Sequence, residues 1–264
     1  MKPLTIFFIY RTRYIGLKTI VISLMIFGFF GTPVSGMAQR LNSDLFQPST
    51  MISSEIARKQ LKKIYLSSGK RRTLHCGCVF DKLNQVFPHL CSDGPVSETG
   101  KSKKMIWASL MPPNIFAKSL TCWNKNQCGS RAGKKVKRTQ CCSEVSPNFK
   151  TRESDMHNIF PMIEDPASNI MAKDFFGIWE YRYCKKEGNL RKEIRGNASR
   201  AYLYMSFQYK IPLTEKLENS LRSWHFEDPP DEWEEKRNDL IEVIQGNRNP
   251  FIDRPELVER VTNF

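Results

Sequence analysis

Four segments of the chain place apolar residues at helical spacing, and a stretch of short apolar runs lies between the first and the other three. From Ser53 to Leu66, Ile56, Leu61, Ile64 and Tyr65 fall near one face, with Glu55 close to the start and Arg58, Lys59, Lys62 and Lys63 largely opposite. This predicts an amphipathic helix packed on the domain. It has few of the large apolar anchors that a membrane-surface helix needs. From His75 to Cys142 the chain is rich in Cys, Gly, Pro and Asn, and pieces such as Lys104-Met105-Ile106-Trp107 and Leu110-Met111 read as strands and loops. The last third is helical in pattern. Ala198 to Tyr209 forms a compact apolar helix, Thr214 to Trp224 an amphipathic one, and Trp233 to Gln245 a third that Gly246 ends, with Asp228-Pro229-Pro230-Asp231 breaking the chain between the last two. No internal repeat is visible.

Residues 1–38 have a different character. Lys2, Arg11, Arg13 and Lys18 occur without an acid, followed by the apolar run Thr19 to Gly31 and the small-residue stretch ending Gly36-Met37-Ala38. This is the layout of a secretory signal peptide cleaved near Ala38, and it predicts a periplasmic or extracellular location. The apolar run falls short of the roughly 20 residues of a membrane span, so no stable span is expected after cleavage. Pro3 to Tyr10 adds a second apolar patch, and an uncleaved signal anchor is the alternative. The reading divides the chain into a signal peptide (1–38), an arm with the amphipathic helix (39–69) and one domain (70–264).

Composition changes this picture in one direction. Forty per cent hydrophobic residues, with 17 Phe, 8 Tyr and 5 Trp, exclude wholesale disorder. The 41 Lys and Arg against 27 Asp and Glu give a net charge of +14, and losing the four leader cations lowers it only to +10. A surplus of that size favours a polyanionic partner, nucleic acid or an acidic membrane surface. Gly129 to Arg138 contributes Arg131, Lys134, Lys135, Lys137 and Arg138 with no acid. Such a run is either a solvated loop or a phosphate-binding surface. Nothing near it is arranged to read base edges, so binding through it is expected to ignore sequence.

Eight cysteines follow the leader: Cys76, Cys78, Cys91, Cys122, Cys128, Cys141, Cys142 and Cys184. An even number in an exported chain reads as a disulfide framework, and its connectivity is open among 105 pairings. His75, Cys76, Cys78, His89 and Cys91 raise the possibility of zinc, but their spacing matches no standard ribbon or finger. Cys76 and Cys78 are expected to reach separate partners, because a bridge between residues two apart is strained.

Two segments, Glu153-Ser154-Asp155-Met156-His157-Asn158 and Trp233 through Gln245-Gly246-Asn247-Arg248-Asn249-Pro250-Phe251-Ile252, resemble the bacterial endonuclease I family. Ser199-Arg200-Ala201-Tyr202-Leu203-Tyr204-Met205 is similar to the helix lying between them in that family, and with the Cys-Gly-Cys element the resemblance spans about residues 70–255. It implies an α+β, disulfide-bonded fold built round a ββα-metal finger, with a helical C-terminal third. It also implies Mg²⁺-dependent, non-specific hydrolysis of DNA or RNA: a histidine at a strand end activates water, and a preceding Glu and an Asn on the finger helix hold the ion. Asn158 corresponds to that Asn, and His157 to a supporting residue.

The chain departs from the family where the chemistry sits. The family pattern Trp-Glu-His-hydrophobic-hydrophobic-Pro corresponds to Trp107-Ala108-Ser109-Leu110-Met111-Pro112, so Ala108 stands at the metal-ligand position and Ser109 at the base position. Neither supplies the function, and loss of a general base alone costs about 10² to 10⁴ in rate. The family's Asn-x-x-Arg-x-Asn corresponds to Ala167, Ile170 and Ala172. The expectation is an exported nucleic-acid-binding relative with lost or strongly reduced hydrolysis. The alternative is an active non-specific Mg²⁺-dependent endonuclease with a rearranged site, in which Asp155 or His157 substitutes. Oligomeric state has no signal in the sequence.

Overall fold

The computed structural model describes residues 52–92, 104–124, 130–131, 134–164 and 190–264. The leader, the arm up to residue 51, Cys128, Cys184 and the Ala167, Ile170 and Ala172 positions lie outside these residues.

The organising element is a two-stranded antiparallel ribbon. Strand β1 (Met105–Ser109) pairs with the later strand Ile159–Ile163, with Met105 opposite Ile163, Trp107 opposite Pro161 and Ser109 opposite Ile159. Side chains alternate across a strand, and here the alternation divides the interior in two. Met105, Trp107, Ile159 and Ile163 face one apolar cluster; Ala108, Phe160 and Met162 face the other.

Helix α1 (Ser54–Ser67) covers the first face. Ser53 caps it, accepting the Ile56 amide, and Ala57, Leu61, Ile64 and Tyr65 are buried. Ile56, expected on the buried face, is 47% exposed instead. The reason is angular: positions 57, 61, 64 and 65 form one continuous stripe, and position 56 stands about 100° from 57. The edge of the Tyr65 ring meets Trp107 and Trp233, both with centroids at 5.1 Å.

Between the ribbon strands run α2 (Pro113–Phe116), α3 (Thr121–Asn124), a small hairpin of β2 (Ser130–Arg131) and β3 (Lys134–Lys135), α4 (Arg138–Val145) and α5 (Pro147–Ser154). The second ribbon strand is β4 (Ile159–Ile163). Residues 190–264 then form α6 (Arg195–Tyr209), α7 (Glu215–Glu227), α8 (Glu232–Gln245), α9 (Pro250–Asp253) and α10 (Leu257–Arg260). Helix α6 covers the second ribbon face with Ala201, Tyr202 and Met205 and packs along α7. Thr214 and Asp231 cap α7 and α8, and Gly246 ends α8 at φ +81°, the left-handed conformation that makes glycine the natural stop.

All six described cysteines are oxidised. Cys78 bonds Cys91 and Cys122 bonds Cys142, while the partners of Cys76 and Cys141 lie outside the described residues. The thiolates a zinc site at Cys76, Cys78 and Cys91 requires are therefore absent. No group of three or more His, Cys, Asp or Glu suited to a metal occurs among the described residues.

Candidate functional site

The ribbon brings the sequence-predicted positions to one place, the end of β1 against the start of β4. Ala108 and Ser109 lie on opposite faces there: Ala108 opposes Phe160 and packs toward the α6 side, while Ser109 opposes Ile159 on the α1 side. Asn158 stands immediately before β4, ending a 3₁₀ turn (Met156–Asn158). This corrects the placement of Asn158 on a finger helix. Its carbonyl oxygen accepts the Met111 amide at 2.7 Å and its amide donates to the Met111 oxygen at 3.0 Å, while its own backbone oxygen accepts Leu110 N–H at 2.8 Å. The fully buried Asn158 side chain thus imitates a strand partner and extends the ribbon past Ser109.

These residues do not fit a Mg²⁺ centre. Such an ion takes oxygen ligands in open octahedral geometry. Ala108 has no donor and the Asn158 amide is already engaged at both ends.

The neighbouring residues of the same motif serve a buried network. Tyr204 and Tyr209 donate to Asp155 Oδ2 at 2.8 and 2.6 Å, and Gln245 Nε2 donates to Asp155 Oδ1 at 3.0 Å. Gln245 Oε1 accepts the Met156 amide, Asn247 Nδ2 donates to the Tyr204 hydroxyl, and His157 Nε2 lies 3.2 Å from the Asn247 oxygen. Two motifs that stand 90 residues apart in sequence are therefore one structural unit. Burial drives His157 down to about 4, against the opposing pull of Asp155. It is neutral near pH 7, and the network engages Asp155 as completely as a buried carboxylate requires.

The predicted phosphate-binding run has two parts. Arg131 and Lys134 are cross-strand partners in the β2–β3 hairpin, and the Cys122–Cys142 bond links α3 and α4, the helices that flank it in sequence. Lys137 and Arg138 are exposed at the start of α4, where cations oppose the helix dipole. That placement costs stability and concentrates positive potential at one point.

Sequence patterning did not reveal a cavity of about 280 Å³ between the end of α1, the start of α6 and α8, with Lys70, Arg72, Tyr65, Phe160, Trp233 and Arg237 among its walls. Arg237 is buried, donates to the Met156 and Ile159 oxygens at 2.6 and 2.9 Å and lies 4.4 Å over the Phe160 ring. Beside it Arg200 forms a two-point pair with Glu234, with Arg200 Nε at 2.8 Å from Glu234 Oε1. On the helical pattern Arg237 reads as one more solvent-facing charge.

Comparison with known proteins adds independent findings. The family model for endonuclease I matches residues 178–256. The chain is 31% identical over 214 residues to an extracellular deoxyribonuclease of Aeromonas hydrophila, covering 75% of this chain and 86% of that one. It is 28% identical over 216 residues to a periplasmic deoxyribonuclease of the same organism, covering 75% and 84%. An extracellular ribonuclease of Bacillus subtilis is 32% identical over 134 residues, 41% of this chain and 46% of the relative.

Proposed function

Because the chain belongs to the endonuclease I family of nucleases, we propose that it is an exported nucleic-acid-binding protein that has lost phosphodiester hydrolysis at the family's site. The observation that carries this reading is the pair Ala108 and Ser109 at the end of β1, in the place of the family's Glu and His. The frame around them is kept: Trp107 packs into the core and Asn158 fixes Met111. A metal ligand and a base are missing from that frame, and the Asn158 amide is engaged by protein. The ribbon β1–β4 offers two antiparallel strands for the expected ββα-metal finger, and residues 165–189, which follow it, lie outside those described.

Export is supported by the leader-like residues 1–38, by the disulfides and by relatives named extracellular and periplasmic. Nucleic acid is the partner that those relatives' names and the basic surplus share. Arg131, Lys134, Lys135, Lys137 and Arg138 supply phosphate contacts without base readout. The rearranged-site alternative names Asp155 and His157 as substitutes; the buried network engages both Asp155 oxygens and His157 Nε2, while His157 Nδ1 has no hydrogen-bond partner among the described residues.

Plasmid DNA and a structured RNA incubated with the purified protein in Mg²⁺ or Mn²⁺ test the proposal. The wild type is expected to leave both intact. Ala108→Glu and Ser109→His are each expected to stay at background, and the double variant to cleave detectably, because ligand and base depend on one another. Robust metal-dependent cleavage by the wild type overturns the reading.

A further inference from the structure

We propose that the outer side of α1 and the turn after it, residues 58–72, is a second surface for nucleic-acid backbone, separate from the hairpin run; the proposal rests on the nucleic-acid-binding reading above. Residues 54–72 contain Arg58, Lys59, Lys62, Lys63, Lys70, Arg71 and Arg72, with Glu55 as the single acid. Among the described residues none of the seven cations is ion-paired.

Their arrangement works against the helix that carries them. Arg58 and Lys62, and Lys59 and Lys63, are like charges one turn apart, which destabilises an isolated helix. None stands in the last turn of α1, where a cation offsets the dipole. A solvated helix face with no partner ordinarily mixes the two signs, as α8 does with Glu232, Glu235, Lys236 and Asp239. On α1 the repulsion is carried by tertiary anchoring: Ala57, Leu61, Ile64 and Tyr65 are buried. Rigid anchoring also suits binding, because charges on a fixed element lose little freedom when a phosphate arrives.

The surface continues beyond the helix. Arg72 is held by the Gly77 oxygen at 2.7 Å and the Leu90 oxygen at 3.3 Å, and with Lys70 it lines the cavity that contains buried Arg237. The positive tract therefore runs along the helix to Lys70 and Arg72, on the wall of a cavity that Glu193, Asp231 and Glu234 also line. The spacing of cations along the helix, about 1.5 Å of rise per residue, brings several phosphates within reach of one face. An anionic membrane is the competing occupant. It is disfavoured because the apolar face of α1 is buried in the core, leaving Ile56 as the one large apolar residue of the helix that is exposed.

The experiment compares salt-dependent binding of the purified protein to single- and double-stranded DNA of unrelated sequence. The variant K59Q/K62Q/K63Q/K70Q/R71Q removes five unpaired charges and keeps Arg58 and Arg72 as packed residues. The slope of log affinity against log salt is expected to shrink by about 3 to 4, with affinity for every sequence falling at least about tenfold at physiological salt. The control K210Q/K216Q/K236Q/R254Q/R260Q removes the same charge from exposed positions of the helical third and is expected to leave the slope nearly unchanged. Acetylation footprinting of the wild type, read by mass spectrometry, is expected to show Lys59, Lys63 and Lys70 protected on binding, so the result stands even if the variant folds poorly. An unchanged slope without protection overturns the proposal, as does an equal loss in the control, which is the signature of net charge alone. Binding of the α1 lysines to phosphatidylglycerol vesicles but not to DNA overturns it in favour of the membrane. If the wild type binds no nucleic acid and no vesicle, the functional reading itself fails.

Discussion

The ribbon region and the helical third use their charges in opposite ways. Residues 52–92 and 104–164 carry 18 Lys and Arg against six Asp and Glu, whereas residues 190–264 carry 12 against 14. Every ion pair between two described side chains lies in the helical third: Arg191 with Glu193, Arg195 with Glu227, Arg200 with Glu234, Arg222 with Glu218, and Arg248 with Asp239, Glu242 and Asp253. In one region cations meet carboxylates and hold helices together. In the other, Lys59, Lys63, Lys70, Arg71, Lys137 and Arg138 are exposed and form no ion pair with a described carboxylate. The family model matches residues 178–256, most of which lie in the helical third, whereas the similarity to the Aeromonas hydrophila deoxyribonuclease extends over 214 residues.

The contrast is broken most strongly at Arg200. Its guanidinium is 1% exposed, bonds both oxygens of Glu234 and donates to the Asp228 oxygen at 2.7 Å. Arg200→Ala leaves the Glu234 carboxylate buried without its partner, at an expected cost of about 3 to 5 kcal/mol in urea denaturation. A loss below about 1 kcal/mol contradicts the scaffold role. In the fraction that remains folded, the salt slope of DNA binding is expected to be unchanged, because the basic region is not touched.

Acid sharpens the same division. The ordinary histidine value is 6.5, and burial holds both His157 and His225 at about 4 and His75 well below 6.5. Unfolded chains bind these protons first, so the stabilisation is fully present above about pH 6.5 and is lost as pH falls toward 4. For His157 the displacement corresponds to about 3 kcal/mol at full extent. Urea midpoints between pH 7 and 4.5 are expected to fall steadily, and His157→Gln to flatten the fall. A midpoint independent of pH over this range contradicts the buried, neutral assignment.

The smallest effect on stability is expected in the hairpin run. R131Q/K134Q/K135Q/K137Q/R138Q is expected to change stability by no more than about 0.5 kcal/mol, as for surface substitutions generally. Removing Lys137 and Arg138 from the start of α4 relieves a mismatch with the helix dipole, so any change is expected to be toward greater stability. DNA affinity is expected to fall for all sequences alike. Equal affinity of variant and wild type identifies the hairpin as a solvated run.

Much of the fold was legible from spacing. The α8 stop at Gly246, the break at Asp228-Pro229-Pro230-Asp231 and the β1 strand around Trp107 follow from local rules that act within a few residues. Ile56 was misassigned because a stripe of four apolar residues admits two phases, and only contact with Trp107 and Trp233 selects the one that buries Ala57. At the site, the identities of Ala108 and Ser109 could be read directly, since the functional groups of a side chain are visible in the residue itself. The engagement of Asn158 with Met111 could not, because nothing in either residue marks a partner 47 positions away. Nor could Arg237, whose burial depends on Phe160 of strand β4 arriving beneath it.

The joining of Asp155 and His157 to Gln245 and Asn247 also orders events in time. At synthesis rates of about 5 to 20 residues per second, those partners follow roughly 5 to 18 s after the segment they complete. Until then the Asp155 carboxylate has the local His157 amide, with Tyr204 and Tyr209 added once these have been made. A chain stopped before Gln245 lacks the partners that the buried turn requires. The last helix of the long set is thus a proofreading step for length: a truncated chain keeps its basic surfaces but not the interior that holds them in place.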